Sequence, residues 1–153
     1  MDVRYINPFV DAVKNVFDTM LDLVVEVGAP RIKESPVPDF EVSSIIGLSG
    51  PVSGCVAISL SKELALIMAG AMLDETFEEL DDDCTDALGE FANMVIGNAK
   101  SEFPEENASI SPPSVIVGKH KVAYPSKLPI VSIPCKTVDG HLMIDVAIKI
   151  EKK

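Results

Sequence analysis

The last quarter of the chain constrains the fold most. Val131, Ile133 and Cys135 alternate with other residues, Asp139-Gly140 follows, and Ile144, Val146 and Ile148 resume the alternation. Period-two apolar alternation describes a strand with one buried face. Asp-Gly is a two-residue hairpin signal, and so short a turn joins only antiparallel neighbours. With Asp139 and Gly140 as the loop, Val138 stands opposite His141. The apolar pairs are then Cys135–Ile144, Ile133–Val146 and Val131–Ile148, all on one face. Pro134 lies on the other parity and marks its strand as an edge or as locally irregular.

A second strand pair lies upstream. Ser43–Ser49 and Cys55–Leu60 flank the turn residues Gly50-Pro51-Val52-Ser53-Gly54. Helical periodicity occupies the rest. Helix one is expected from Pro8 to about Val27, with Asn7 as cap and Phe9, Val13, Val16, Phe17, Met20 and Val24 on its apolar stripe. Gly28 and Pro30 end it, and the stretch holding Pro36 and Pro38 reads as a loop. Ser61 caps helix two, with Leu64, Ile67, Met68, Ala71 and Met72 as its buried side. Helix three runs from about Asp83 to Phe103, where Pro104 stops it. Residues 105–109 form a loop, and Ile110–Gly118 is extended, since Pro112-Pro113 excludes helix. Strands in neighbouring pairs with helices between them predict α+β: one domain over residues 1–153, an antiparallel β-sheet with helices packed on it.

Charge narrows the partners. The 153 residues carry 13 Lys+Arg against 24 Asp+Glu, a net charge of −11. Nucleic acid and anionic membrane are polyanions and are poor partners for such a chain. Met1–Pro8 has no basic region leading into an apolar one, so no signal peptide is expected. The longest apolar run, Leu64–Leu73, is half of the roughly 20 residues a spanning helix needs, so no membrane insertion and a cytoplasmic location are expected. Cys55, Cys84 and Cys135 show no CxxC spacing, and His120 and His141 are the two histidines, which argues against a zinc site.

Helix three carries the chemistry. At 100° per residue, Leu88, Phe91, Ala92, Val95, Ala99 and Phe103 share the core stripe. Asp86, Glu90, Asn93, Gly97 and Ser101 fall near the opposite direction, with Met94 beside them. Glu90 and Asn93 are an i,i+3 pair and therefore neighbours. Taken singly, Asp86 is a first-turn acid favoured by the helix dipole, Glu90 a solvated acid, Asn93 a stray amide and Gly97 a packing glycine. Together they suit delivery into another protein's active site. A carboxamide donates and accepts but has no useful pKa, so it orients a water rather than deprotonating it. A neighbouring carboxylate pairs with a partner's lysine. Gly97, costly in a helix by about 1 kcal/mol relative to Ala, leaves a flat patch for a partner's backbone.

The run Asp86-Ala-Leu-Gly-Glu90-Phe-Ala-Asn93 resembles the D/S-x3-E-x2-N pattern of the CheC/CheX/FliY chemotaxis phosphatases. Glu90 through Lys100 is similar to the CheX-like members, as are Ile110–Gly118 downstream and Gly47–Gly50 with Gly54–Leu60 upstream, in the same order. The similarity runs from about residue 5 to residue 150. It implies an antiparallel sheet with helices, a homodimer, and hydrolysis of the phospho-aspartate of a response-regulator receiver domain of the CheY type. It implies that Glu90 pairs with the receiver's lysine and that Asn93 orients the hydrolytic water. Asp86, Met94 and Gly97 would contact the partner. The chain needs no cofactor of its own, because Mg²⁺ belongs to the receiver. Helix one has no E-x-x-N, which implies a single-site member.

Two other readings compete. One is a non-catalytic module that binds receivers or supports a signalling complex. The other is calcium binding at Asp81-Asp82-Asp83 and Asp86, but no register through Asp81–Glu90 supplies an EF-hand's alternating acids and its glycine. A cysteine-nucleophile phosphatase lacks its C-x5-R, since the two arginines are Arg4 and Arg31.

Overall fold

The computed structural model describes residues 2–34, 40–105, 107–124 and 128–151. Pro36 and Pro38 lie outside the described residues. The elements, in order, are helix α1 (Val3–Val16) with a π turn (Phe17–Leu21), β1 (Glu26–Val27), β2 (Arg31–Ile32), β3 (Val42–Ser49) and β4 (Val52–Leu60). Helices α2 (Lys62–Leu73) and α3 (Asp82–Ser101) follow, then β5 (Ser109–Ile110), β6 (Ser114–Val117), β7 (Val131–Thr137) and β8 (Gly140–Ile150). The strands form one sheet in the order β1-β7-β8-β4-β3-β5, with β2 also on β7 and β6 also on β3. Every pairing is antiparallel.

The C-terminal hairpin forms, but its turn sits one residue earlier than Asp-Gly predicts. Thr137 pairs with Gly140, so Val138 and Asp139 are the loop. Neither has positive φ, whereas Gly140, just after the turn, sits at φ 150°. The Thr137 hydroxyl fixes the turn, accepting from the Asp139 amide at 3.1 Å and donating to the Gly140 carbonyl at 3.0 Å. Cys135 therefore faces Leu142, Ile133 faces Ile144 and Val131 faces Val146. Each partner is displaced by two positions, which preserves the buried face. The strand holding Pro134 is not the outermost: β1 and β2 cover it in turn. Pro134 falls at the break between them, where its carbonyl accepts from the Gly28 amide at 2.8 Å. Its missing N–H costs no ladder bond there.

The helices lie on one face of the sheet. Ile46, Val56, Ile58, Ile133, Ile144 and Val146 join Phe9, Phe17, Phe91 and Leu88 in one core. Phe17 meets Phe91 edge-on at 5.7 Å, and Phe103 packs against Tyr5 and Phe9. The opposite face is polar and buried. Ser43 bonds Ser59 at 2.8 Å and His120 at 2.8 Å, and Asp145 accepts from Ser132 at 2.5 Å and pairs with Lys33 at 2.9 Å.

Both flanking helices depart from expectation. Helix one is capped by Asp2, whose carboxylate accepts from the Arg4 amide at 2.9 Å, and Pro8 is inside it with a buried ring. It ends in the π turn, and Asp22 closes it in the left-handed region, so Glu26–Val27 is strand. A π turn adds a residue to the repeat and shifts the stripe by one position. Leu21 is buried, Met20 is 51% exposed and Val24 is 88% exposed. Helix two is capped by Ser61 as expected, but it buries Leu64, Ala65, Met68 and Ala69, while Ile67 and Ala71 are exposed and Met72 is half-buried. A helix that is apolar all round has no contrast from which periodicity can select a face.

Candidate functional site

Helix α3 begins at Asp82, one residue ahead of the expected start. Asp81 is the cap, its carboxylate accepting from the Cys84 amide at 2.9 Å. Asp82 and Asp83 fill the first turn, where the helix dipole favours acids. The predicted core stripe is buried throughout, from Leu88 to Phe103. The helix ends at Ser101 as Pro104 approaches.

Its outer stripe is open. Asp86 and Glu90 are exposed, and Asn93, Met94 and Gly97 are half-exposed. Among the described residues, neither the Glu90 nor the Asn93 side chain makes a hydrogen bond or an ion pair. A β-carbon built on Gly97 meets nothing within 4 Å. Internal packing therefore does not require that glycine. Gly89, on the neighbouring flank, is different: a β-carbon there would stand 3.2 Å from the Pro113 ring. Gly89 thus lets the Pro112–Pro113 segment between β5 and β6 lie against α3. Lys100 anchors the preceding connection, from α3 to β5, by donating to the Ala108 carbonyl at 2.8 Å.

On the other flank, Asp86, Glu90 and Met94 line a recess of about 590 Å³. Asn93 is about 60° round the helix from Glu90 and is not among the lining residues. The structure thus brings Asp86, Glu90 and Met94 together at the recess and sets Asn93 and Gly97 beside it. Sequence reasoning missed Met20, Met72, Leu73, Glu75, Asp83 and Ala87, which complete the lining. Helical periodicity assigns Met20 and Met72 to core stripes and so conceals both.

The geometry limits the chemistry. Among the described residues, no three His, Cys, Asp or Glu side chains come together as a metal-binding group. Burial pushes the Cys84 and Cys135 thiols up, Cys135 to about 12, and raises Cys55 as well. None of the three has the lowered pKa of a thiolate nucleophile. What remains is an exposed carboxylate and a half-exposed carboxamide that neighbour each other on α3. They suit engaging a partner and holding a water.

Comparison with known proteins places the chain among chemotaxis phosphatases. The family model for chemotaxis phosphatase CheX matches residues 42–136. The CheY-P phosphatase CheX of Thermotoga maritima is 27% identical over 151 residues, spanning 94% of this chain and 97% of its own length. A CheC-like superfamily protein from Shewanella sp. PV-4 superimposes with a TM-score of 0.88 at 32% identity, covering 97% of this chain and 99% of that one. The structure of a CheX–CheY–BeF3–Mg²⁺ complex from Borrelia burgdorferi matches with a TM-score of 0.81 at 29% identity, covering 95% and 97% of the two chains. No helix among the described residues is long and apolar enough to cross a membrane.

Proposed function

The chain belongs to the CheX family of chemotaxis phosphatases, and on that premise we propose that it hydrolyses the phospho-aspartate of a CheY-like receiver domain. The observation that carries this reading is the outer stripe of α3. Glu90 and Asn93 project from α3 without internal partners among the described residues, and Gly97 keeps the next turn clear. Nothing in the fold requires an acid and an amide there.

In this mechanism α3 enters the receiver's site side-on. Glu90 pairs with the receiver's lysine and sets the depth and register of entry. The Asn93 amide accepts from and donates to one water and holds it in line with the phosphorus. Water oxygen bonds to phosphorus as the bond to the aspartyl oxygen breaks, leaving a carboxylate and inorganic phosphate. Receiver phospho-aspartates hydrolyse spontaneously, so positioning the water is the principal demand on the phosphatase. In this reading the chain brings no cofactor of its own and Mg²⁺ comes with the receiver, as the composition of the Borrelia burgdorferi CheX–CheY–BeF3–Mg²⁺ complex suggests.

The proposal extends to one phosphatase domain over residues 1–153, a cytoplasmic location and a homodimer. The C-terminal hairpin does not offer the edge for sheet extension, because β7 and β8 are both paired on each side. The edges left are β1 with β2, and β5 with β6. Sedimentation that shows only monomer at working concentration removes the dimer. The function is tested by the decay of a phosphorylated receiver with and without the protein. Acceleration supports the phosphatase, whereas binding with unchanged decay supports the non-catalytic module.

A further inference from the structure

The recess beside Glu90 has a composition unlike ordinary surface. Its apolar lining comes from three elements: Met20 from the π turn, Met72 and Leu73 from the end of α2, and Met94 from α3. Met20 and Leu73 are 51% and 43% exposed. Around this floor stand Glu75, Asp83, Asp86 and Glu90, and no Lys or Arg contributes. An apolar floor ringed by one sign of charge is a recognition surface. The acids leave it open to cations and repel another acidic surface.

Two features of the fold build it. The π turn brings Met20 out of the core stripe, and insertions of this kind are frequent at functional sites. Helix α2, apolar all round, buries Leu64, Ala65, Met68 and Ala69 and leaves Met72 and Leu73 at the surface. Both sites are local departures from an ordinary amphipathic helix, and both supply the same recess. Glu90 belongs at once to this rim and to the stripe proposed to enter the receiver, so a bound receiver covers the recess mouth.

We infer that this methionine-lined recess is an anchor pocket for the receiver, accepting one large apolar side chain flanked by Lys or Arg beside the phosphorylation site. The inference rests on the receiver-phosphatase reading. A phosphatase that relied on Glu90 and Asn93 alone would grip every receiver equally, since phospho-aspartate and lysine are common to the active sites. The recess lies outside that shared chemistry and reads what differs. Methionines are flexible and polarisable, so the pocket accepts related apolar side chains of different shape. Selectivity then comes mainly from the cations around them.

The test uses a beryllofluoride-activated receiver, which is not hydrolysed, so affinity is measured without turnover. Met20→Gln and Leu73→Gln alter exposed side chains and keep the fold, as thermal melting checks. Each should weaken binding about tenfold, the size expected for a central apolar contact. Val24→Gln, exposed but outside the recess, should leave affinity unchanged. Unchanged affinity in both recess variants overturns the anchor. So does dissociation of a self-associated form by Met20→Gln with receiver affinity intact, which would make the recess a contact between copies of this chain. If recess variants weaken binding while the wild type fails to speed receiver decay, the anchor stands and the phosphatase reading falls.

Discussion

Asn93 and Gly97 lie one helical turn apart on the outer stripe of α3, and the space where a Gly97 side chain would stand is empty. An amide placed to hold a water is thus followed by the one residue type that adds no obstacle behind it. Helix stability would favour alanine at Gly97. Replacing it should raise the melting temperature by about 2–4 °C, from a gain of about 1 kcal/mol. It should also raise KM for the phosphorylated receiver. Gains in both stability and activity would remove Gly97 from the docking surface.

Asn93→Ala should lower the acceleration of receiver decay about 100-fold or more, the usual loss when one preorganised polar group is removed. Glu90→Gln should act mainly on KM by removing the charge that meets the receiver's lysine. Neither side chain makes an internal bond among the described residues, so both variants should melt within about 0.5 kcal/mol of wild type. Full activity in both would dismiss this pair as the site. Decay assays on one receiver, run beside thermal melts, make the comparison.

Affinity should fall with salt. Residues 63–99 hold ten acids and no Lys or Arg, and four of those acids ring the recess. Raising ionic strength from about 0.05 to 0.5 M shortens the screening length severalfold and should weaken receiver binding several-fold. Titration at three salt concentrations reads this directly. A flat response would assign the acidity to solubility.

The buried Lys33–Asp145 pair gives a stability prediction remote from the site. Both side chains are under 10% exposed, and Ser132 also donates to Asp145. Lys33→Met leaves a buried carboxylate without its cation and should cost about 3–5 kcal/mol. Lys33→Met with Asp145→Asn should recover much of that loss, because the buried charge is gone and the Ser132 bond is kept. Denaturant titration of the three proteins distinguishes a coupled pair from two independent contacts.

Cys135 makes stability fall on the alkaline side. Burial holds its thiol near 12, against 9.0 for a free thiol. Above about pH 9 the unfolded chain releases a proton that the folded chain retains, so folding weakens as pH rises from 9 towards 12. Below pH 9 the contribution is fully present. Tyr5 is raised to about 12 as well, by burial and by its bond to Glu105. The difference between wild type and Cys135→Val, measured at pH 8 and pH 10.5, therefore isolates the thiol.

Local pattern was enough to establish the antiparallel hairpins, the three helices, the Ser61 cap and the buried stripe of α3. Each depends on interactions within one turn or between strands joined by a tight loop. The Glu90–Asn93 pair was legible for the same reason, since i,i+3 spacing places two side chains together on any helix. One local contact escaped the pattern: the Thr137 hydroxyl, bonded two and three residues on, shifts the hairpin turn by one residue. What only the tertiary structure decided depends on neighbours distant in sequence. The π turn brought Met20 to the surface and buried Leu21. The surroundings of α2, apolar on every side, chose which of its faces to cover. The recess beside Glu90 arises from those last two choices. Its walls come from the π turn after α1, from the end of α2 and from α3, and periodicity within any one helix does not encode where these elements meet.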